Sequence, residues 1–298
     1  MNLEELQKTF GADTVTFRKG PGEFTTVIID NGAAEAEICL HGAHLMKFVP
    51  AGAVPVLWMS KSSWFEPNRP IRGGVPICWP YFGAAADPAL PAHGFARLSE
   101  WNLAEIDSSE KGMTRVALTL SPADVTAVPV PFPFELRMEF VIGKVLQMTL
   151  TMKNCSDSEQ IITDALHTYF NVKSAGAITI SGLDGVSYED RVVGAKVFGG
   201  VQDGDIRIDR EVDRVYLDTA DAVEIHDPSY DRTILIEKFG SESTVVWNPW
   251  IRKSQAMPDF GDDEYHTMVC IEAVNAAKDR RILAPGATHV ISQKITLK

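Results

Sequence analysis

Two residues in apolar surroundings carry the chemistry this chain could perform. They are His167, inside the run DALHTYFNV (164–172), and Glu272, inside VCIEAV (269–274). Side chains alternate faces along a strand, so His167 shares a face with Ala165 and Tyr169, while Leu166, Thr168 and Phe170 turn the other way. An imidazole buried there without a partner costs roughly 1–3 kcal/mol. Either a structural partner satisfies it, or the fold holds it ready for proton chemistry. In the second run Val269, Ile271 and Ala273 share one face, and Cys270, Glu272 and Val274 the other. A glutamate is rarely buried unless paired, and desolvation raises its pKa towards that of a general base working near neutrality. An exposed edge position or half of a structural ion pair is the plainer alternative, and the run by itself leaves both open.

Other candidates cluster earlier in the chain. Arg72 in IRGG and Arg97 in HGFAR suit clamps on an anion or a hydroxyl, because a guanidinium donates as a fork. Solvated charge is their plainer reading. His93, between Ala92 and Gly94 in PAHGFAR, reads as a loop histidine. The tetrapeptide WNPW (247–250) reads as packing rather than a sugar platform, and His41, His44, His226, His266 and His289 read as structural or exposed. There is no HxH, HExxH or carboxylate triplet to suggest a metal, and no dinucleotide, phosphate-loop or GxSxG motif.

These residues must be positioned by strands. Helical periodicity is confined to NLEELQKTF before Gly11. Strand patterns recur at 24–29, 35–40, 115–120, 160–170, 232–239, 244–248, 267–274 and 289–297. The run 134–154 reads as a hairpin turning at Gly143-Lys144, where glycine in the first position suits a type II′ turn. The expectation is all-β: one large antiparallel sandwich over residues 1–298. Between Leu57 and Trp101 the pattern breaks into a long stretch rich in proline, glycine and aromatic residues. Such loops are usually functional or disordered, and the aromatic content argues for an ordered one beside a cleft.

Composition narrows the partners. A formal charge of −12 argues against nucleic acid and anionic membranes, and leaves any anionic substrate dependent on local arginines. The four cysteines are scattered without a CxxC pair, so neither a zinc site nor a disulfide framework is indicated. The acidic start lacks the apolar core of a signal peptide, and no run approaches the roughly 18 apolar residues of a membrane span. A cytoplasmic protein, monomeric or weakly self-associating, is expected.

The segments IRGGVPICWPYFG (71–83), LPAHGFAR (90–97), LHTYFNV (166–172), DRVYLD (213–218), VWNPW (246–250) and MVCIEAV (268–274) together resemble the aldose 1-epimerase (galactose mutarotase-like) superfamily. They are most similar to its glucose-6-phosphate 1-epimerase branch. The resemblance implies a β-supersandwich, a sugar phosphate bound in a cleft on one sheet, and no metal or organic cofactor. It implies His167 as general acid and Glu272 as general base for ring opening. Arg72, His93, Arg97 and Asp213 match substrate-contacting positions. Where some members carry a glutamine before the HG histidine, this chain has Ala92. An epimerase of free sugars, a non-catalytic carbohydrate-binding module and a retaining glycosidase using Asp213 as second carboxylate are the competing expectations.

Overall fold

The computed structural model describes residues 1–192, 194 and 198–298. Two eight-stranded sheets dominate it. One runs, edge to edge, through Gly199–Val201, Ser187–Asp190, Val212–Leu217, Ser243–Asn248, Met268–Asn275, Asp164–Leu166 and Ile77–Cys78, with Tyr169–Asn171 also paired to Met268–Asn275. The other runs through Thr179–Ser181, Val223–Asp227, Arg232–Phe239, Thr288–Leu297, Val145–Asn154, Phe134–Ile142, Thr114–Leu120 and Asn102–Asp107. A four-stranded sheet (Val15–Lys19, Thr25–Asp30, Ala34–Cys39, His44–Pro50) and a ribbon of Gln160–Ile162 with Arg281–Leu283 complete it. The named strands pair antiparallel throughout, as in Phe134–Ile142 against Val145–Asn154.

Alternation explains the layers. Along Phe134–Ile142 every second residue is buried, and the inward set meets Leu166, Phe170, Val269 and Ile271 of the first sheet in one core. The first sheet is covered on its other face as well. There Trp58, Tyr169, Val215, Val245, Trp247, Cys270 and Val274 form a second cluster, so all eight residues of Met268–Asn275 are buried. Glu272 therefore sits on a central strand, not an edge.

Three expectations need correction. The hairpin at 134–154 is present, but Ile142 pairs with Leu146, leaving three connecting residues, and Gly143 does not take the positive φ of a type II′ turn. The single strand expected over 160–170 is three short ones, because Gln160–Ile162 joins the ribbon and the ladder breaks again after Leu166. A second α-helix, Trp250–Ala256, follows WNP where no helix is expected. The first helix, Leu3–Phe10, begins at a capping box in which the Asn2 side chain accepts from the Glu5 N–H and the Glu5 carboxylate accepts from that of Asn2. Among the described residues no helix is long and apolar enough to cross a membrane.

Candidate active site

The break after Leu166 creates the site. Asp164–Leu166 pairs with Met268–Asn275 in the register 164 to 275, and Tyr169–Asn171 resumes the same register, 169 to 270. Continued through the gap, that register sets His167 opposite Glu272. The ladder does not close there: the His167 N–H donates to the Pro76 carbonyl at 3.0 Å instead, and the Thr168 N–H to that of Leu166 at 3.0 Å. On the inner face Gln293, reaching across from the other sheet, fills the gap. Its amide donates to the Ile271 carbonyl at 3.0 Å and its carbonyl accepts from the Thr168 hydroxyl at 2.5 Å.

On the outer face the two side chains meet. His167 Nδ1 lies 3.4 Å from Glu272 Oε1, with 10% of the imidazole and 1% of the glutamate side chain exposed. His167 stacks on Tyr169, ring centroids 4.8 Å apart and 9° from parallel. Burial works against charge on both members. It lowers the His167 pKa well below the ordinary value, helped by His93, Arg97 and Arg72, and raises that of Glu272 well above, helped by Asp213. Burial thus favours a neutral pair with its proton on Glu272 over an imidazolium beside a carboxylate.

The pair lies at the foot of a cleft of about 320 Å³ whose lining includes all six sequence candidates: Arg72, His93, Arg97, His167, Asp213 and Glu272. Glycines set the loops that bring them there. Gly74 has φ +56°, and a side chain on it would meet the Leu45 carbonyl at 2.3 Å; one on Gly94 would meet that of Trp79 at 1.9 Å. His44, fully buried, donates from Nε2 to the Gly73 carbonyl at 2.9 Å and so pins the turn after Arg72. Arg72 in turn donates to both Asp259 Oδ2 (2.9 Å from Nη2) and the Tyr169 hydroxyl (3.0 Å). Arg97, buried on the turn Ala96–Leu98, donates to the Ala92 carbonyl at 2.8 Å. His93 holds a left-handed φ of +63° and accepts from the Gly83 N–H through Nδ1, which leaves its proton on Nε2. Burial and the flanking arginines hold its pKa down at about 3, so it is a neutral donor. Asp213 accepts from Lys253 at 3.1 Å, and Lys253 also pairs with Glu211 at 3.3 Å.

Lys253, Trp247, Phe82 and Met257 also line the cleft, and sequence reasoning missed them as site residues. Trp247 had a signal: Val245 pairs with Glu272 and Trp247 with Cys270, so strand alternation alone places both on the Glu272 face. Lys253 had none, since its helix is too short to show a period. In the long loop, Trp79 and Phe95 pack into the core edge to face, while Phe82 reaches the cleft. His167, Cys270 and Glu272 each offer one possible metal-ligand atom within 4.8 Å of the others, a grouping drawn from two strands and invisible to motif spacing.

An antiparallel supersandwich with a buried histidine–glutamate pair in a cleft on one sheet defines a class, and comparison gives it a name. The chain belongs to the aldose 1-epimerase family of isomerases, whose model matches residues 25–296. It is 37% identical over 278 residues to an Escherichia coli (strain K12) protein named "Putative glucose-6-phosphate 1-epimerase", covering 93% of this chain and 92% of that one. A Cenchrus ciliaris protein of the same name is 34% identical, with 84% and 78% covered. The crystal structure of a "putative mutarotase" from Salmonella typhimurium superposes with a TM-score of 0.88 at 33% identity, covering 96% of this chain and 94% of that chain.

Proposed function

We propose that this protein interconverts the α and β anomers of a hexose 6-phosphate by general acid–base ring opening at His167 and Glu272. The observation that carries the reading is the buried pair, 3.4 Å apart, at the foot of a cleft lined by Arg72, Arg97 and Lys253. Sugar hydroxyls entering the cleft supply the carboxylate with donors, and the shared proton passes from Glu272 to His167. Glu272 then takes the proton of the anomeric hydroxyl while His167, through the ring nitrogen turned from Glu272, protonates the ring oxygen. The open aldehyde rotates about C1–C2. Closure runs through the same groups in reverse: His167 takes the proton from the C5 hydroxyl and Glu272 returns one to the carbonyl oxygen. His93 and Arg97 orient hydroxyls, and Asp213 accepts from one. Each positioned acid or base contributes about 10²–10⁴-fold, enough for a reaction that already proceeds slowly in water.

The relatives named as glucose-6-phosphate 1-epimerases support the phosphate. A free-sugar substrate draws on one observation: Arg72 is already paired with Asp259, and Lys253 with Asp213 and Glu211. A monomer or weak homo-oligomer completes the proposal, and a phosphorylated sugar points to the cytoplasm. Exchange NMR between the anomers of glucose 6-phosphate, glucose and galactose tests the reading. Marked acceleration of the phosphorylated sugar alone supports it. Equal kcat/KM for glucose 6-phosphate and glucose overturns phosphate recognition, and acceleration of none overturns the mutarotase reading.

A further inference from the structure

Beneath the foot of the cleft lies one side chain that the proton chemistry leaves unused. Cys270 stands two residues before Glu272 on the same face of Met268–Asn275, is fully buried and free, and does not line the cleft. Its sulfur, one His167 ring nitrogen and one Glu272 oxygen all lie within 4.8 Å of one another. His167 Nδ1 and Glu272 Oε2 are buried without a hydrogen-bond partner. Such orphaned atoms are uncommon in folded proteins and mark a place where something else can bind.

We propose that His167, Cys270 and Glu272 form a binding site for a single zinc-type divalent cation, and that its occupancy switches the acid–base pair off. The 3.4 Å between Nδ1 and Oε1 matches the roughly 3.3 Å that separates a nitrogen and an oxygen ligand on one tetrahedral zinc. A sulfur and a nitrogen ligand on one tetrahedral zinc stand roughly 3.6 Å apart, so from within 4.8 Å the thiol needs to draw in by at most about 1.2 Å, within reach of a side-chain rotation. One sulfur, one imidazole nitrogen and one carboxylate oxygen select zinc and its thiophilic neighbours over magnesium or calcium. Three protein ligands leave a fourth position, open to the cleft, for water or a sugar oxygen. Binding displaces the single proton that the His167–Glu272 pair carries on Glu272 and that of the thiol, both lost to solvent. The lone pairs that would accept and deliver the sugar's protons are then held by the metal. Binding stands independently of the proposed reaction; inhibition rests on it.

Cobalt(II) serves as the spectroscopic probe, because a thiolate ligand gives it a near-ultraviolet charge-transfer band. Titration of the full chain is expected to saturate at one cobalt per molecule with that band present. The band is expected to vanish in Cys270→Ser and in Cys270→Ala, and to persist in Cys155→Ser, which removes the exposed cysteine. Zinc is expected to slow anomer exchange of glucose 6-phosphate, with reversal by a chelator. Both Cys270 variants are expected to keep their metal-free rate while needing roughly tenfold more zinc, or beyond, for the same inhibition. Absence of the band, its loss on Cys155→Ser, or unchanged zinc sensitivity in folded Cys270 variants overturns the proposal. If cobalt binds as expected while metal-free protein accelerates no sugar, the metal site stands and the mutarotase reading falls.

Discussion

His167 and Glu272 face each other in register across two adjacent antiparallel strands, at the one point where the ladder between Asp164–Leu166 and Tyr169–Asn171 lapses. Because side chains opposite each other on neighbouring strands stand close by construction, the fold needs no long-range loop arrangement to bring these two side chains together. The remaining residues only have to fill the cleft above.

That pairing sets the pH dependence. In the proposed reaction the pair carries one proton, so the rate is expected to fall when it gains a second or loses its only one. Unperturbed groups would hold one proton between their ordinary values of 4.5 and 6.5. Burial lowers His167 and raises Glu272, so the order of titration moves towards reversal, with His167 giving up its charge below its ordinary value and Glu272 keeping its proton above its own. Imidazole nitrogen NMR of the protein without sugar is expected to show His167 neutral just below pH 6.5, where an ordinary histidine is more than half charged. A charged His167 there contradicts the neutral pair.

Gln293 is a positioning residue. Replacing it by leucine strips partners from the Ile271 carbonyl and the Thr168 hydroxyl, at a cost of roughly 1–3 kcal/mol in stability. Since Gln293 does not line the cleft, kcat is expected to fall several-fold with KM little changed. Chemical denaturation and steady-state kinetics read the two effects. Unaltered kcat in folded Gln293→Leu would show that the gap does not depend on it.

Tyr169 acts in two ways that can be separated. Tyr169→Phe keeps the stack under His167 but removes the hydroxyl that accepts from Arg72, so KM is expected to rise while kcat holds. Tyr169→Ala removes the stack as well, and kcat falls too. Equal kinetic behaviour of the two variants would argue against a role for stacking.

Much of this was legible in the sequence, and the failures have a common cause. Alternation grouped Cys270 and Val274 with Glu272, and Ala165 and Tyr169 with His167; all four of those neighbours lie in the outer cluster, while Leu166, Phe170, Val269 and Ile271 lie in the inner one. What alternation does not carry is pairing with distant segments. The breaks in 160–170 follow from Arg281–Leu283 on one side and Pro76 on the other, and Arg72 is fixed by Asp259, 187 residues away. Lys253 enters the cleft on a helix two turns long, below the length at which a hydrophobic period can be read.

Asp164 offers a test outside the site. It is fully buried on the strand leading to His167, both carboxylate oxygens lack partners, and burial pushes its pKa up to about 8 from an ordinary 3.8. The folded pKa lies above the unfolded one, so the group costs nothing below 3.8 and progressively destabilises the fold as pH rises towards 8. Asp164→Asn is therefore expected to raise Tm at pH 8, with the gain shrinking towards pH 4. A loss of stability from the substitution at pH 8 would mean that the carboxylate is charged and stabilised in the fold.

The central claim is that Glu272 moves the anomeric proton. The most direct measurement is the rate of anomer exchange of glucose 6-phosphate by NMR with Glu272→Gln, a near-isosteric change on a strand buried on both faces. The account predicts a loss of about 10²-fold or more while circular dichroism and thermal unfolding show the fold retained. Exchange at the rate of the unaltered protein would contradict it.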